Sequence, residues 1–460
     1  MKKFLCILLA MMMVFSMVAC GNNGGETPSG SPEPSGSTEP SGGDETPATD
    51  SGEGKVFHIY AWNEEFKGFF EKYYTVPEGV EVVWTIVPNE GTQYQDALDL
   101  ALLNQESASD DDKVDMFLAE ADYILKYTNS EYTQDIKALG VTNFSNTYTY
   151  TVEAASDANG VVKGVSFQCC PAGMIYRRSI ALDVLGTDDP VEVQKAVSTW
   201  DGYREVAKKC ADKGYLMTAS YAEDYRVFSN NTSSPWVDAN GNVQIDPAIQ
   251  SWMDQAEMFV QNNYTLTSGV WDAETTEQAA KDGKAFCFFG PAWYYNFCMG
   301  PAFGDDAVAA GTDSIGDWAL VEGPQAYFWG GTWLLAATGS DNPTMVADVM
   351  DAFINNEEIC TNLIANEAQF TNNQAVNNKF AQDPDFGNRY LGGQNDTAIF
   401  AEGAKNIKFQ NQTIYDQGCN EGIQNAFVEY LKGTVTKEEA LDNFYKALKE
   451  KYPAITIPEA

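Results

Sequence analysis

Histidine is almost absent from this chain of 460 residues, which holds only His58, within the apolar run 56–60. Most zinc sites, Ser-His-Asp triads and Cys-His dyads need a histidine at the reacting centre. His58 has the neighbours of a strand residue, so we predict neither a metal site nor a catalytic set, and no motif indicates a cofactor. Residues 238–249 superficially resemble a calcium loop, but Val243 and Ile249 replace its required glycine and glutamate.

Positive charge is also scarce, since 28 lysines and arginines face 66 acidic residues and the formal net charge is −38. So acidic a chain argues against nucleic-acid binding and against docking of the globular part onto anionic lipid. A neutral or a cationic ligand remains compatible with this charge. Solubility alone would also account for it.

The cysteines do not form a disulfide framework. Of the nine, Cys6 and Cys20 lie in the N-terminal segment, and the other seven are odd in number and irregularly spaced. We predict that these seven are buried as small apolar side chains, and a single disulfide among them stays open. They are Cys169, Cys170, Cys210, Cys287, Cys298, Cys360 and Cys419.

The N-terminus has the pattern of an export signal. Two lysines precede an apolar run over 4–18, which is shorter than the roughly 20 residues of a membrane span. This pattern predicts a signal peptide over residues 1–19. The sequence Met17-Val18-Ala19-Cys20 resembles a bacterial lipobox, which implies that Cys20 carries the lipid; the alternative is an ordinary signal peptide that happens to contain a cysteine.

Residues 20–54 have almost no apolar side chain after Cys20 and are rich in Gly, Ser, Thr, Pro, Glu and Asp. Such a segment cannot offset its ordering entropy by burial, so we predict a disordered tether. A lipid at one end and a globule at the other predict a protein held at the outer face of the cytoplasmic membrane through its lipid alone. In a bacterium with one membrane, that location is extracellular.

Residues 55–460 are too many for one compact core and predict two domains. Strand patterns at 55–61, 80–87 and 114–119 alternate with helix patterns at 64–74 and 94–104. This alternation is typical of a parallel α/β sheet.

Several segments, in order, resemble those of extracellular solute-binding proteins of the carbohydrate-uptake class, the receptors of ATP-driven importers. One segment departs from the family pattern, because Arg177-Arg178 stands where Asn-Lys is usual. The segments are Ala61-Trp62-Asn63-Glu64, 115–120, 164–178, Thr199-Trp200-Asp201, 283–293 and Gly330-Gly331-Thr332-Trp333.

The resemblance implies an α/β, two-lobed, periplasmic-binding-protein-like (Venus flytrap) fold in which the chain crosses three times between lobes. We predict the crossings near 168–170, 289–290 and 328–330. Lobe 1 would then comprise 55–168 plus 290–328, and lobe 2 would comprise 169–289 plus 329–460. Loops from both lobes would face one ligand cleft.

Ten tryptophans and 23 tyrosines exceed what the cores need. A sugar site combines flat aromatic rings with carboxylates and amides, so we select aromatic and acidic residues next to strand ends and glycines. Each candidate also has a structural interpretation, such as a helix start or core packing, and Trp271 and Trp329 stay undecided. The predicted ligand-binding residues are Trp62, Asn63, Glu64, Glu120, Asp122, Tyr221, Trp236, Trp293 and Trp333.

The sequence therefore predicts a monomeric substrate-binding lipoprotein of an ABC transporter. It would capture a carbohydrate, an oligosaccharide, and deliver it to the permease subunits. The same fold binding a polyamine or another cationic solute is one alternative. A secreted glycosidase is another, with Glu64 and Glu120 as the two carboxylates that hydrolysis needs.

Overall fold

The computed structural model describes residues 54–303 and 313–458. The predicted signal peptide, Cys20 and the tether up to residue 53 lie outside the described residues. In the described part, no helix is both long and apolar enough to cross a membrane.

Five strands form the first sheet, in the order β2-β1-β3-β10-β4. β1 runs parallel to β2 and β3, whereas β10 runs antiparallel to β3 and β4. The strands are β1 (Val56–Ala61), β2 (Glu81–Ile86), β3 (Met116–Glu120), β4 (Gly164–Ser166) and β10 (Thr332–Ala336). The predicted strands at 55–61, 80–87 and 114–119 are therefore confirmed to within two residues.

A second sheet has the order β6-β7-β5-β8, with β9 paired to β5. β5 is antiparallel to β7 and β8, and β6 is parallel to β7. The strands are β5 (Pro171–Arg177), β6 (Leu216–Thr218), β7 (Ala285–Gly290), β8 (Trp318–Val321) and β9 (Tyr327–Phe328).

Helices cover both sheets, and separate hydrophobic clusters lie against each sheet. The first ten are α1 (Glu65–Tyr73), α2 (Gln93–Leu103), α3 (Ile124–Thr128), α4 (Thr149–Ala154), α5 (Arg178–Leu185), α6 (Pro190–Val197), α7 (Trp200–Asp212), α8 (Tyr225–Ser229), α9 (Pro247–Gln261) and α10 (Ala273–Glu277). The others are α11 (Pro343–Asn355), α12 (Glu357–Glu367), α13 (Gln374–Ala381), α14 (Asp396–Ala404), α15 (Asp416–Leu431) and α16 (Lys437–Lys451).

Local sequence explains several of these elements. In α1, Phe66, Phe69 and Phe70 recur at helical spacing and are buried. The predicted capping box of α16 is confirmed, because the Thr436 hydroxyl accepts from the Glu439 amide while the Glu439 carboxylate accepts from the Thr436 amide. The seven cysteines of the described residues are all buried, as predicted, and none of them is in a disulfide, which settles the point that the sequence left open.

The strand pairings correct the predicted division into lobes. Trp318–Val321 joins the second sheet and Thr332–Ala336 joins the first, so the predicted assignment of 290–328 to lobe 1 and 329–460 to lobe 2 is wrong for these strands. Pairing partners that are distant in the sequence determine which sheet a buried strand joins. An entirely apolar strand sequence does not indicate which partners these are.

The chain passes between the sheets at three places. The first lies between β4 and β5 and the second between β9 and β10, close to the predicted 168–170 and 328–330. The predicted crossing at 289–290 is wrong, since β7 and β8 share one sheet. The third crossing instead follows α12, where Thr371 pairs with Gln168. Phe370 enters the core of the second lobe, by which we mean the lobe that contains the second sheet, and the first lobe contains the first sheet.

Candidate functional site

A cleft of about 610 Å³ is lined by residues from both lobes, and we call it the main cleft. The first lobe contributes residues that directly follow β1 and β3, at the carboxyl ends of parallel strands, where ligands bind in open α/β sheets. Six of the nine predicted residues line the main cleft: Trp62, Asn63, Glu120, Asp122, Tyr221 and Trp293.

Three tryptophans of the second-lobe side form an aromatic wall. The rings of Trp271 and Trp293 are nearly parallel, at 9° and 6.1 Å between centroids. The Trp329 ring stands at 71° to Trp293, 5.1 Å away. The Trp293 indole N–H also donates to the Trp329 carbonyl at 3.3 Å, which fixes the ring, and Trp271 is 64% exposed. The wall thus presents ordered ring faces to a solute.

Trp62 supplies an aromatic surface on the first-lobe side. Its ring meets the buried rings of Tyr94 and Tyr123 edge-on, at 5.7 and 6.4 Å. The side-chain oxygen Oδ1 of Asn63 accepts from the Glu65 backbone amide at 3.1 Å, at the start of α1. Packing and this hydrogen bond hold both side chains at the cleft edge.

An ion pair joins the two lobes inside the main cleft. Arg226, in α8, donates two hydrogen bonds to Asp122, at 2.7 and 2.5 Å. Asp122 lies two residues beyond β3, and its amide donates to the Glu120 carboxylate at 2.8 Å. The guanidinium also lies 5.8 Å from the centre of the Trp329 ring. Two parallel bonds fix the geometry of this charge pair.

Two buried carboxyl groups in the main cleft hold their protons more tightly than usual. Burial, reinforced by the nearby Asp122 charge, raises the pKa of Glu120 well above its ordinary value. Burial raises the pKa of Glu65 to about 7, although the amides of Gln369 and Gln168 donate to it at 3.1 and 3.4 Å. A protonated carboxyl group can both donate to and accept from a hydroxyl, which suits an uncharged polar solute.

Several lining residues were missed from the sequence. Gln417, Glu421, Gln424 and Asn425 line the main cleft from α15. These residues are four, three and one positions apart, so in a helix they form a polar stripe on one face. This pattern could have indicated them from the sequence once a helix was predicted over this segment. Glu65 and Gln168 were missed as well, whereas Tyr225, next to the predicted segment of Tyr221, and the undecided Trp271 and Trp329 also line it.

Three predicted site residues lie elsewhere. The Glu64 side chain is 77% exposed and pairs with Lys67 at 3.7 Å, one position before α1 begins. Trp236 is buried in the core of the second lobe and donates to Asn420 at 3.0 Å. Trp333 is buried in the core of the first lobe and donates to the Thr151 carbonyl at 2.9 Å. β10 points its side chain into that core, so the predicted ligand contact of Trp333 is not supported.

Within residues 54–303 and 313–458, no group of three or more His, Cys, Asp or Glu side chains is arranged to hold a metal ion. The site chemistry that these residues offer is therefore that of aromatic rings, amides, carboxyls and one guanidinium.

Comparison with known proteins decides the family. The family model for bacterial extracellular solute-binding proteins matches residues 71–388, more than half of the chain. The chain belongs to this family. No curated protein matches the chain.

Solved structures share its two-lobed fold. A crystal structure of an extracellular solute-binding protein of family 1 is 18% identical over 85% of this chain and 99% of its own, with a TM-score of 0.70. The ABC-transporter-associated binding protein from B. animalis subsp. lactis Bl-04, in complex with β-1,6-galactobiose, is 18% identical over 88% of this chain and 100% of its own, at 0.65. The galacto-N-biose-/lacto-N-biose I-binding protein from Bifidobacterium longum, in complex with lacto-N-biose, is 14% identical over 86% of this chain and 96% of its own, with a TM-score of 0.66.

Proposed function

We propose that this solute-binding protein captures an oligosaccharide in the main cleft and delivers it to the permease subunits of an ABC importer. The observation that carries the proposal is the wall formed by Trp271, Trp293 and Trp329, which lines one inter-lobe cleft together with carboxyl and amide groups. Sugars present flat C–H faces together with hydroxyls, and this pairing of surfaces matches both. Two structural neighbours that share the fold carry disaccharides.

Arg226 disfavours a polyamine or another cationic solute. It is the one cationic side chain among the described residues that line the main cleft, and it already satisfies Asp122. Raised pKa values at Glu65 and Glu120 further lower the negative charge that a cation would meet. A neutral solute needs no charge compensation, so the geometry favours a carbohydrate.

Binding without catalysis is the proposed activity. A glycosidase needs an acid and a base or nucleophile across the scissile bond. Glu64, one of the two candidates, is directed to solvent instead of the main cleft. Incubation of the purified protein with oligosaccharides should therefore release no product, and reproducible release would contradict this proposal.

Cys20 and the tether provide the proposed anchoring. A lipid on Cys20 would hold a monomeric receptor near its permease, at high effective concentration. Labelling of growing cells with a radioactive fatty acid should mark the wild-type protein and leave Cys20→Ser unlabelled. Equal labelling of both proteins would argue against this attachment site.

A thermal-shift screen tests the ligand class. A ligand at one hundred times its Kd should stabilise the protein by about 2.7 kcal/mol. We expect stabilisation by one or more oligosaccharides and none by spermidine, with Trp293→Ala as the matched variant that removes part of the aromatic wall. Stabilisation by spermidine and by no glycan would reverse the assignment.

A further inference from the structure

A second cavity of about 460 Å³ lies beside the main cleft, and we call it the side pocket. Its volume falls within the roughly 300–1,000 Å³ of small-molecule sites. Residues 364–370, which end and follow α12 of the first lobe, form one wall. The second lobe contributes Ala292, Asn296, residues 386–390 and three residues of α14. Both lobes therefore meet around this pocket, as they do around the main cleft.

Two structural features place the side pocket next to the main cleft. Trp293 and Phe297 line the main cleft, whereas Ala292 and Asn296, each one residue earlier, line the side pocket. Gln369, in the wall of the side pocket, donates to Glu65 at 3.1 Å, and Glu65 lines the main cleft. A single layer of hydrogen-bonded side chains thus separates the two cavities.

The side pocket also carries the mixture of groups that a sugar needs. Phe386 supplies a ring, and the hydroxyl of the buried Tyr390 donates to the side-chain oxygen of Asn296 at 3.3 Å, which leaves the Asn296 side-chain N–H free to donate. Asp396 is 6% exposed and accepts from Asn388 at 2.7 Å. The Arg389 guanidinium is exposed and forms no ion pair with another described residue. Donors and acceptors therefore converge on one volume.

We propose that the side pocket binds further units of the carbohydrate whose first units occupy the main cleft. The proposal rests on the proposed function and adds to it a preference for chains that are long enough to reach Arg389 and Asn296. Gln369 is 5% exposed in the layer between the two cavities and hydrogen-bonds to Gln168 and Glu65, so a chain that occupies both cavities displaces this side chain from those bonds.

An array of immobilised glycans graded by chain length supplies the probe, and calorimetry then measures Kd for each member of the series that binds. Wild-type protein should bind the longer members about tenfold more tightly than the shortest member that binds. A hydrogen bond to a charged group such as the Arg389 guanidinium lowers Kd by about that factor. Arg389→Ala and Asn296→Ala should abolish this gain and leave the affinity for the shortest member unchanged.

Arg204→Ala is the matched control, since Arg204 is a partly exposed arginine that lines neither cavity and pairs with Asp201. It should keep the gain with chain length, and unchanged melting temperatures should show that all three variants fold. Equal affinity of the wild type for all chain lengths would contradict sugar binding in the side pocket and leave the proposed function intact. A gain in affinity with chain length that both pocket variants keep would do the same. Binding of no glycan by the wild type would overturn the proposed function and this inference together.

Discussion

Trp293 and Trp333 each follow a glycine-containing turn, yet burial gives them different roles. Trp293 is partly exposed in the main cleft, whereas Trp333 is 1% exposed and hydrogen-bonds to a backbone carbonyl inside the first lobe. A side chain that water reaches can meet a solute, and one that water does not reach contributes to folding. Substitution at these two positions should therefore separate affinity from stability.

Trp293→Ala should weaken binding of the glycan that the screen selects by about 2 kcal/mol, or roughly thirtyfold in Kd, as for a typical tryptophan hot spot. The change removes a ring stacked on Trp271 and packed against Trp329. Calorimetry measures the loss, and the melting temperature of the unliganded protein should change little. Unaltered affinity would show that the aromatic wall is not the sugar surface.

Trp333→Phe should have the opposite profile. The smaller ring leaves a cavity, and the Thr151 carbonyl keeps only its hydrogen bond from the Ala155 amide at 3.2 Å, so we expect a loss of about 2–4 kcal/mol in the free energy of unfolding. Urea unfolding measures this loss, and glycan affinity should stay within twofold of the wild type. A large loss of affinity without a loss of stability would restore Trp333 as a ligand contact.

Glu64 and Glu65 show what the sequence could and could not predict about the site. The end of β1 was predicted correctly, so the segment was placed near the cleft edge, but Glu64 was selected and Glu65 was missed. Successive helical residues point about 100° apart. Because α1 begins at Glu65, that side chain turns inward and Glu64 faces solvent. The sequence pattern located the segment but could not fix the helix start to within one residue.

At the scale of elements, α8 and the loop after β3 form the charged contact between the lobes. The Asp122–Arg226 pair is mostly buried, at 15% and 17% side-chain exposure. A hydrogen bond between Gln95 of α2 and Gln417 of α15, at 2.6 Å, also crosses between the lobes. Together these contacts favour the arrangement in which the two lobes touch around the main cleft, before a solute enters.

Arg226→Gln should shift the unliganded protein towards an open arrangement. Loss of the guanidinium leaves Asp122 beside Glu120 without a compensating charge, and breaking a buried pair in this way is destabilising. Small-angle X-ray scattering should show a larger radius of gyration than for the wild type. Arg204→Gln, which breaks a partly exposed pair with Asp201, is the control and should not change the radius. Identical radii for Arg226→Gln and the wild type would contradict this role.

Elements were easier to predict than their arrangement. The strands β1, β2 and β3 follow from local alternation and flanking turns, and each was predicted to within two residues. The membership of β8 and β10 was predicted wrongly, because Trp318–Val321 and Thr332–Ala336 are wholly buried. Apolar strands of this kind fit either sheet until their partners at β5 and β3 are known.

At the scale of the whole molecule, buried acids set the dependence of stability on pH. Burial raises the pKa of Asp115 and Asp396 to about 6, of Glu65, Asp224 and Asp416 to about 7, and of Glu223 to about 8. A carboxyl whose pKa is higher in the folded than in the unfolded protein binds its proton more tightly when folded. The stabilising contribution of such a carboxyl is complete at pH values below its pKa in the unfolded protein. It is lost as the pH rises through its pKa in the folded protein.

We therefore expect the free energy of unfolding to be higher at pH 5 than at pH 8.5, on the order of several kcal/mol, since each pKa unit corresponds to about 1.4 kcal/mol. The single histidine opposes this trend, because burial lowers the pKa of His58 and its protonation costs stability in acid. The effect of this one histidine on stability is smaller than the combined effect of the six carboxyl groups. Urea unfolding at the two pH values, followed by tryptophan fluorescence, measures the difference.

Glu223 offers the sharpest variant for this pH test. One of its carboxylate oxygens accepts from the Phe289 amide at 3.0 Å and from the Tyr294 hydroxyl at 2.6 Å, while the other has no partner among the described residues. Ionisation above its pKa of about 8 leaves a buried charge poorly compensated. Glu223→Gln should flatten the loss of stability between pH 7 and 8.5, whereas the exposed Glu358→Gln should not. Greater stability of the wild type at pH 8.5 than at pH 5 would show that these acids ionise without cost to the fold.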